Sequence, residues 1–114
     1  MIQQGASGRR TIARWIIAAV PMLAVSPAMS AAPKTHQVVI DKMRFGPMPA
    51  GVRAGDTIMW VNRDIVRHTA TARGAFDVDL PAKAVGRSKV AKAGTVKVIC
   101  KFHSGMTAML KVAR

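Results

Sequence analysis

The stretch CKFHSGM, residues 100–106, sets a thiol, an imidazole and a thioether at three-residue steps, on Cys100, His103 and Met106. All three groups bind metals, and the thiol belongs to the only cysteine in the chain. Taken singly, each residue has an ordinary reading: a buried cysteine behaves as a small hydrophobe, a methionine fills a core, and a histidine decorates a loop. Taken together they point to a metal. Cys100 ends one expected strand and Met106 stands just before the next, so residues 101–105 make a tight connection that can turn three side chains to one centre. A four-coordinate metal needs one more ligand. Of the two remaining histidines, His36 and His68, the second falls in an expected strand 32 residues before Cys100. That separation allows one crossover and a returning strand, which makes the candidate set His68, Cys100, His103 and Met106.

Ligand chemistry then selects among metals. Thiolate and thioether are soft and imidazole suits copper in both oxidation states, so two histidines and a cysteine with a weak axial methionine describe a blue-copper electron-transfer centre. Zinc accepts cysteine and histidine but seldom thioether, and iron–sulfur clusters require more cysteines. Cu(I) favours sulfur and Cu(II) nitrogen, so a rigid compromise lets the ion change charge with little movement. Four protein ligands leave no open position for a substrate. A non-enzyme is expected.

The elements that must position this set are strands. Thr35–Phe45 reads as a strand ending at Gly46-Pro47, and Met48–Asp56, punctuated by Pro49, Gly51 and Gly55, as a brief edge strand and a turn. Thr57–Asn62 is apolar and β-rich, a central strand, with Arg67–Ala72 as its partner across the corner between them. Phe76, Val78 and Leu80 alternate, but Asp77, Asp79 and Pro81 suggest a loop against the core. Arg87–Gly94 alternates polar with small apolar residues, Thr95–Cys100 is the clearest strand, and Thr107–Ala113 closes the chain. Seven or eight short strands with Gly and Pro between them, and no helical run, indicate an all-β fold: a small antiparallel Greek-key β-sandwich.

The N-terminus reads differently. Arg9, Arg10 and Arg14 precede an apolar run of 11 residues, WIIAAVPMLAV, and a small-residue segment, SPAMSAAP. This is the pattern of an export signal, and the run is short of the roughly 20 residues that a membrane-spanning helix needs. SGRRTIAR also loosely matches a twin-arginine signal. Residues 1–32 are therefore expected to be a cleaved signal peptide and 33–114 the functional domain, delivered to the periplasm. All five acidic residues, every one an aspartate, and all but three of the 18 Lys and Arg lie in residues 31–114, a net charge of +10 there. Export and the spread of the basic residues argue against nucleic acid, and favour acidic protein surfaces or anionic membrane as partners. A lone cysteine in an oxidising compartment has no intramolecular disulfide to enter. It must be buried, oxidised or metal-bound.

From Val38 to Val112 the chain resembles the cupredoxins, the plastocyanin and azurin superfamily, on the stretches MRFGPMPAGVRAGDTIMWVNRDIVRHTA and GTVKVICKFHSGMTAMLKV. The short Cys-x-x-His-x-x-Met tip is most similar to that of amicyanin. The resemblance implies copper bound by one ring nitrogen each of His68 and His103, a short bond to Cys100 and a weak axial one to Met106. It further implies that His103 reaches through an apolar surface, expected to include Phe102, Met48 and Pro49 with Gly105 allowing close approach, and serves as the doorway for electrons. Three positions depart from the family pattern: Thr69 where Asn is frequent and pins the ligand loop by hydrogen bonds, a task the hydroxyl is expected to do more weakly; Phe102 where the loop commonly has Pro; and Val98 where an aromatic is common. Arg67 and Lys101, next to ligand positions, are candidates for raising the reduction potential, although strand alternation turns Arg67 away from His68. The expected role is a monomeric periplasmic electron shuttle between redox proteins. The alternative is a copper carrier or resistance protein that hands on Cu(I), kept open by Met43, Met48, Met59 and Met109.

Overall fold

The computed structural model describes residues 5, 8, 12–24 and 31–114. The expected cleavage segment around Ala28 and Ser30 lies outside the described residues. Residues 12–24 form neither helix nor strand, and Ile12, Trp15, Ile16 and Leu23 are all exposed. Among the described residues, no helix is long and apolar enough to cross a membrane.

Residues 35–112 fold into eight strands: β1 (Thr35–Asp41), β2 (Arg44–Phe45), β3 (Thr57–Asn62), β4 (His68–Ala72), β5 (Phe76–Leu80), β6 (Val85–Lys89), β7 (Gly94–Ile99) and β8 (Thr107–Val112). They form two four-stranded sheets, ordered β2-β1-β3-β6 and β5-β4-β7-β8. The expected all-β sandwich is borne out, and all its pairings are antiparallel but one. β1 and β3 run parallel in register from Thr35↔Thr57 to Ile40↔Asn62, and Arg53 makes a parallel bridge to Ala113 outside the named strands.

Period-2 alternation decides what each strand buries. Val38, Ile40, Ile58 and Trp60 from the first sheet meet Ala70, Leu80, Val98 and Leu110 from the second, each at most 1% exposed. Trp60 is the hub. Its ring lies 5.9 Å from both Phe45 and Phe76, and its Nε1–H donates to Ser88 Oγ at 2.8 Å, so burying the indole leaves no donor unpaired. Opposite Trp60 in the β3–β6 ladder stands Gly86, where a Cβ would come within 2.5 Å of Val78 Cγ1 and 3.0 Å of Leu80 Cδ2. Only a residue without a side chain lets the β6 backbone pack this closely on β5.

Four sequence expectations need revision. Thr35–Phe45 is two strands, because the chain reverses at Lys42-Met43 and β2 folds back on β1 through Ile40↔Phe45. Met48–Asp56 is not a strand; it is pinned to the C-terminus by Ala54 N–H to Ala113 O at 2.7 Å and Ala113 N–H to Val52 O at 2.8 Å. Phe76–Leu80 is a full strand, since Asp77 and Asp79 occupy its outward face and cost no burial. Finally, β3 and β4 belong to different sheets, so the corner between them crosses the sandwich.

Candidate metal centre

That corner, residues 63–67, is built around Asn62, which is 1% exposed. Its side-chain amide lies 2.9 Å from Val66 O and 3.0 Å from both Leu80 O and Pro81 O, and its Oδ1 accepts the Asp64 N–H at 2.9 Å. One buried amide thus holds the turn from both sides and delivers His68 to the start of β4. Alternation along β4 sends His68, Ala70 and Ala72 inward and Thr69 and Thr71 to the outer face.

The second half of the site is the β7–β8 connection. The ladder continues past Ile99↔Thr107 through Cys100 N–H to Met106 O at 3.1 Å, and Met106 N–H to His103 O at 3.2 Å closes the loop. Cys100 and Met106 are consequently opposite each other on the inward face, each 5% exposed and within the apolar core. Gly105 takes φ +82°, the left-handed conformation this tight return requires.

Nδ1 of His68 lies 3.8 Å from Cys100 Sγ, and Nδ1 of His103 lies 3.4 Å from the same sulfur. The potential donor atoms of His68, Cys100 and His103 all fall within 4.8 Å of one another, and the two imidazole rings meet edge to face at 4.9 Å. His68 is completely buried, whereas His103 is partly exposed. Of the four residues expected from sequence, three converge on one point, and Met106 is buried one hydrogen bond away in the same loop. His36 is not part of this group; its Nε2 pairs with Asp56 at 2.8 Å.

Apart from Thr69, sequence reasoning missed the groups that hold this cluster. Asp64 Oδ2 sits 2.7 Å from His68 Nε2, on the opposite side of the ring from Cys100. Burial pushes the Asp64 carboxyl upward, but hydrogen bonds from Met43 N–H, the His68 ring and Lys42 N–H outweigh it, and the group is held below the usual carboxylate range. The cysteine sulfur receives the Thr69 N–H at 3.4 Å. On the outer face, Lys101 N–H donates to Thr69 Oγ1 at 3.0 Å, and Thr69 Oγ1 lies 2.9 Å from Thr71 Oγ1. Thr71 in turn donates to Asp77 Oδ1 at 2.7 Å, and Asp77 Oδ2 pairs with Lys101 Nζ at 2.8 Å. The chain begins and ends on Lys101. Hydrogen bonding by Lys101, first, and by Thr71 lowers the Asp77 carboxyl. A threonine after a histidine and a Thr-x-Thr outer face were the available signals.

Arg67 does turn away from His68. Its guanidinium makes a two-pronged pair with Asp79, at 2.7 and 2.5 Å, and lies 5.7 Å from the centre of the Phe102 ring. Of the expected apolar surface, Phe102 is 55% exposed while Met48 and Pro49 are half-buried, Met48 packing on the core. Ile65, Val66 and Met43 are exposed as well, and Asp64 bonds both the Met43 N–H and the His68 ring.

The sandwich and this cluster define a cupredoxin fold with the residue pattern of a type 1 copper site. Among solved structures the chain is similar to amicyanin. An oxidised amicyanin variant superposes with a TM-score of 0.61 at 24% identity, covering 68% of this chain and 81% of that one. A methionine-to-alanine variant in its Cu(I) form gives 0.58 at 25%, covering 72% and 85%. Amicyanin from Paracoccus versutus gives 0.58 at 23%, covering 78% and 86%. No family model matches the sequence, and no curated protein matches it at a significant level.

Proposed function

We propose that this protein is a periplasmic blue copper protein that carries single electrons between redox partners. The observation that carries the reading is the convergence of one buried thiol, one buried imidazole and one partly exposed imidazole within 4.8 Å at the loop end of a cupredoxin sandwich. The donor set fits the ion: one soft sulfur and two borderline nitrogens suit copper. Every buried side-chain N and O among the described residues has a hydrogen-bond partner.

In this reading His68, Cys100, His103 and Met106 hold the copper, which supplies a one-electron couple. His68, fully buried, shields the inner side of the site from water. Thr69 N–H steadies the Cys100 sulfur, and the Lys101–Thr69–Thr71–Asp77 chain keeps the loop from moving when the charge changes. His103, partly exposed beside Phe102, is the side chain a partner can approach. Residues 1–32 act as an export signal and are removed. Four of the five aspartates are engaged with His36, His68, Lys101 and Arg67, leaving most of the basic residues unmatched on the surface. Such a surface steers the protein toward acidic partners. Voltammetry of the copper-loaded protein tests the reading: a reversible one-electron wave is expected. Tight Cu(I) binding with no stable Cu(II) form would instead indicate copper delivery.

A further inference from the structure

We propose that Asp64 is a positioning residue of this metal centre, fixing which nitrogen His68 presents and biasing the centre toward the oxidised ion. The inference rests on the copper reading above, and begins from the two nitrogens of one buried ring. His68 Nε2 is 2.7 Å from Asp64 Oδ2, and Nδ1 is 3.8 Å from Cys100 Sγ. An ionised carboxylate only accepts hydrogen bonds, so the ring proton is on Nε2. In the neutral ring, the form that binds a metal, the lone pair is then on Nδ1, facing the cysteine.

Asp64 is itself held from four directions. Its Oδ1 accepts the Lys42 N–H at 2.8 Å and its Oδ2 the Met43 N–H at 2.9 Å. Its backbone N–H donates to Asn62 Oδ1 at 2.9 Å, and its carbonyl accepts the Lys83 N–H at 3.1 Å. The two amides on the carboxylate belong to the β1–β2 turn, where Lys42 and Met43 have φ of 53° and 63°. Side chains seldom adopt that conformation. Here it aims two successive N–H groups at one anion. Three donors converge on two oxygens, a demand that a carboxylate meets and an amide, with one accepting oxygen, does not. Among the described residues His68 is the only side chain paired with Asp64, so no Lys or Arg neutralises the charge before it reaches the ring.

A carboxylate on the far nitrogen raises the basicity of a ligating imidazole and fixes its orientation. It also places a negative charge one ring away from the metal, which favours the ion of higher charge. Asp64 therefore stabilises Cu(II) relative to Cu(I) and lowers the reduction potential.

Two variants and two readouts test this. In the copper-free protein, nitrogen NMR of His68 should show only the Nε2–H tautomer, and Asp64→Ala should give a mixture. In the copper-loaded protein, Asp64→Asn removes the charge and should raise the midpoint potential; each tenfold loss of Cu(II) affinity beyond that of Cu(I) is worth about 59 mV for one electron. An unchanged or lower potential in Asp64→Asn, or an unaltered tautomer in Asp64→Ala, overturns the proposal. Should either variant fail to fold, the same changes are made with Lys42→Gly and Met43→Gly, which let the turn form without the carboxylate, and compared with that double variant alone. If the wild type takes up no copper, the functional reading fails, yet the NMR comparison still decides whether Asp64 sets the ring.

Discussion

The backbone N–H of Lys101 donates to the hydroxyl of Thr69 across 3.0 Å, tying the residue after the cysteine to the residue after the buried histidine. The two halves of the metal site come from strands that share a single register pair, Thr71↔Ile99, so this bond does work that the sheet ladder does not. It continues through Thr71 to Asp77, an anion that polarises both hydroxyls in one direction. In a loop without proline, such a chain replaces covalent stiffness by hydrogen bonding.

Removing the hydroxyl should therefore loosen the loop more than its size suggests. Thr69 is 2% exposed, and Thr69→Ala leaves Lys101 N–H without its acceptor. A loss of about 1–3 kcal/mol is expected from urea unfolding, with faster hydrogen exchange at the Lys101 amide and recovery of both in Thr69→Ser. Equal exchange rates in Thr69→Ala and wild type would refute the tie.

Acid should weaken the fold at a second, separate place. Backbone hydrogen bonds from Lys34 and Arg53, then that from the His36 ring, lower the Asp56 carboxyl from 3.8 to about 2. A carboxyl held lower in the folded chain than in the unfolded one adds stability that is complete above about pH 4 and lost as pH falls through about 2. Thermal unfolding of the copper-free protein should show this loss across that window. Asp56→Asn should begin at a lower Tm and lose less over the same range, whereas parallel curves would contradict the assignment.

Gly86→Ala probes a close approach between β5 and β6. The added methyl would meet Val78 Cγ1 at 2.5 Å, a stiff β-branched side chain that cannot step aside cheaply. Overpacking of this kind costs about 1–3 kcal/mol, and urea unfolding should show it. A neutral substitution would mean that β6 can retreat from β5.

Arg67 should have little influence on the redox couple despite its place beside His68. Its charge is met by Asp79 in two hydrogen bonds on the outer face, and the Asp79 carboxyl is lowered chiefly by that contact. Arg67→Gln is expected to leave the midpoint potential nearly unchanged. A drop as large as the rise expected for Asp64→Asn would show that Arg67 acts on the metal after all.

The parts of this protein legible in its sequence are those set by short-range pattern. Thr57–Asn62 is a strand with the expected limits because its apolar alternation is uninterrupted, and the 101–105 connection follows from ligand-type residues between two β-rich runs. Phe76–Leu80 was obscured because its two aspartates look like loop residues until Thr71, Lys101 and Arg67 stand opposite them. The Lys42-Met43 turn carries neither Gly nor Asn, and the group that stabilises it, Asp64, comes 21 and 22 residues later. Asp64 also escaped notice as a neighbour of His68, four residues on, because only the corner built on Asn62 brings the carboxylate back to the ring. What was hidden is polar and depends on how the chain turns back on itself.

The measurement that bears most directly on the central claim is the visible absorption of the purified protein titrated with Cu(II). One equivalent should produce an intense thiolate-to-copper band that disappears on reduction, returns on reoxidation, and is absent from Cys100→Ser. A protein that stays colourless with bound Cu(II), or whose band survives the loss of Cys100, would contradict the blue-copper account.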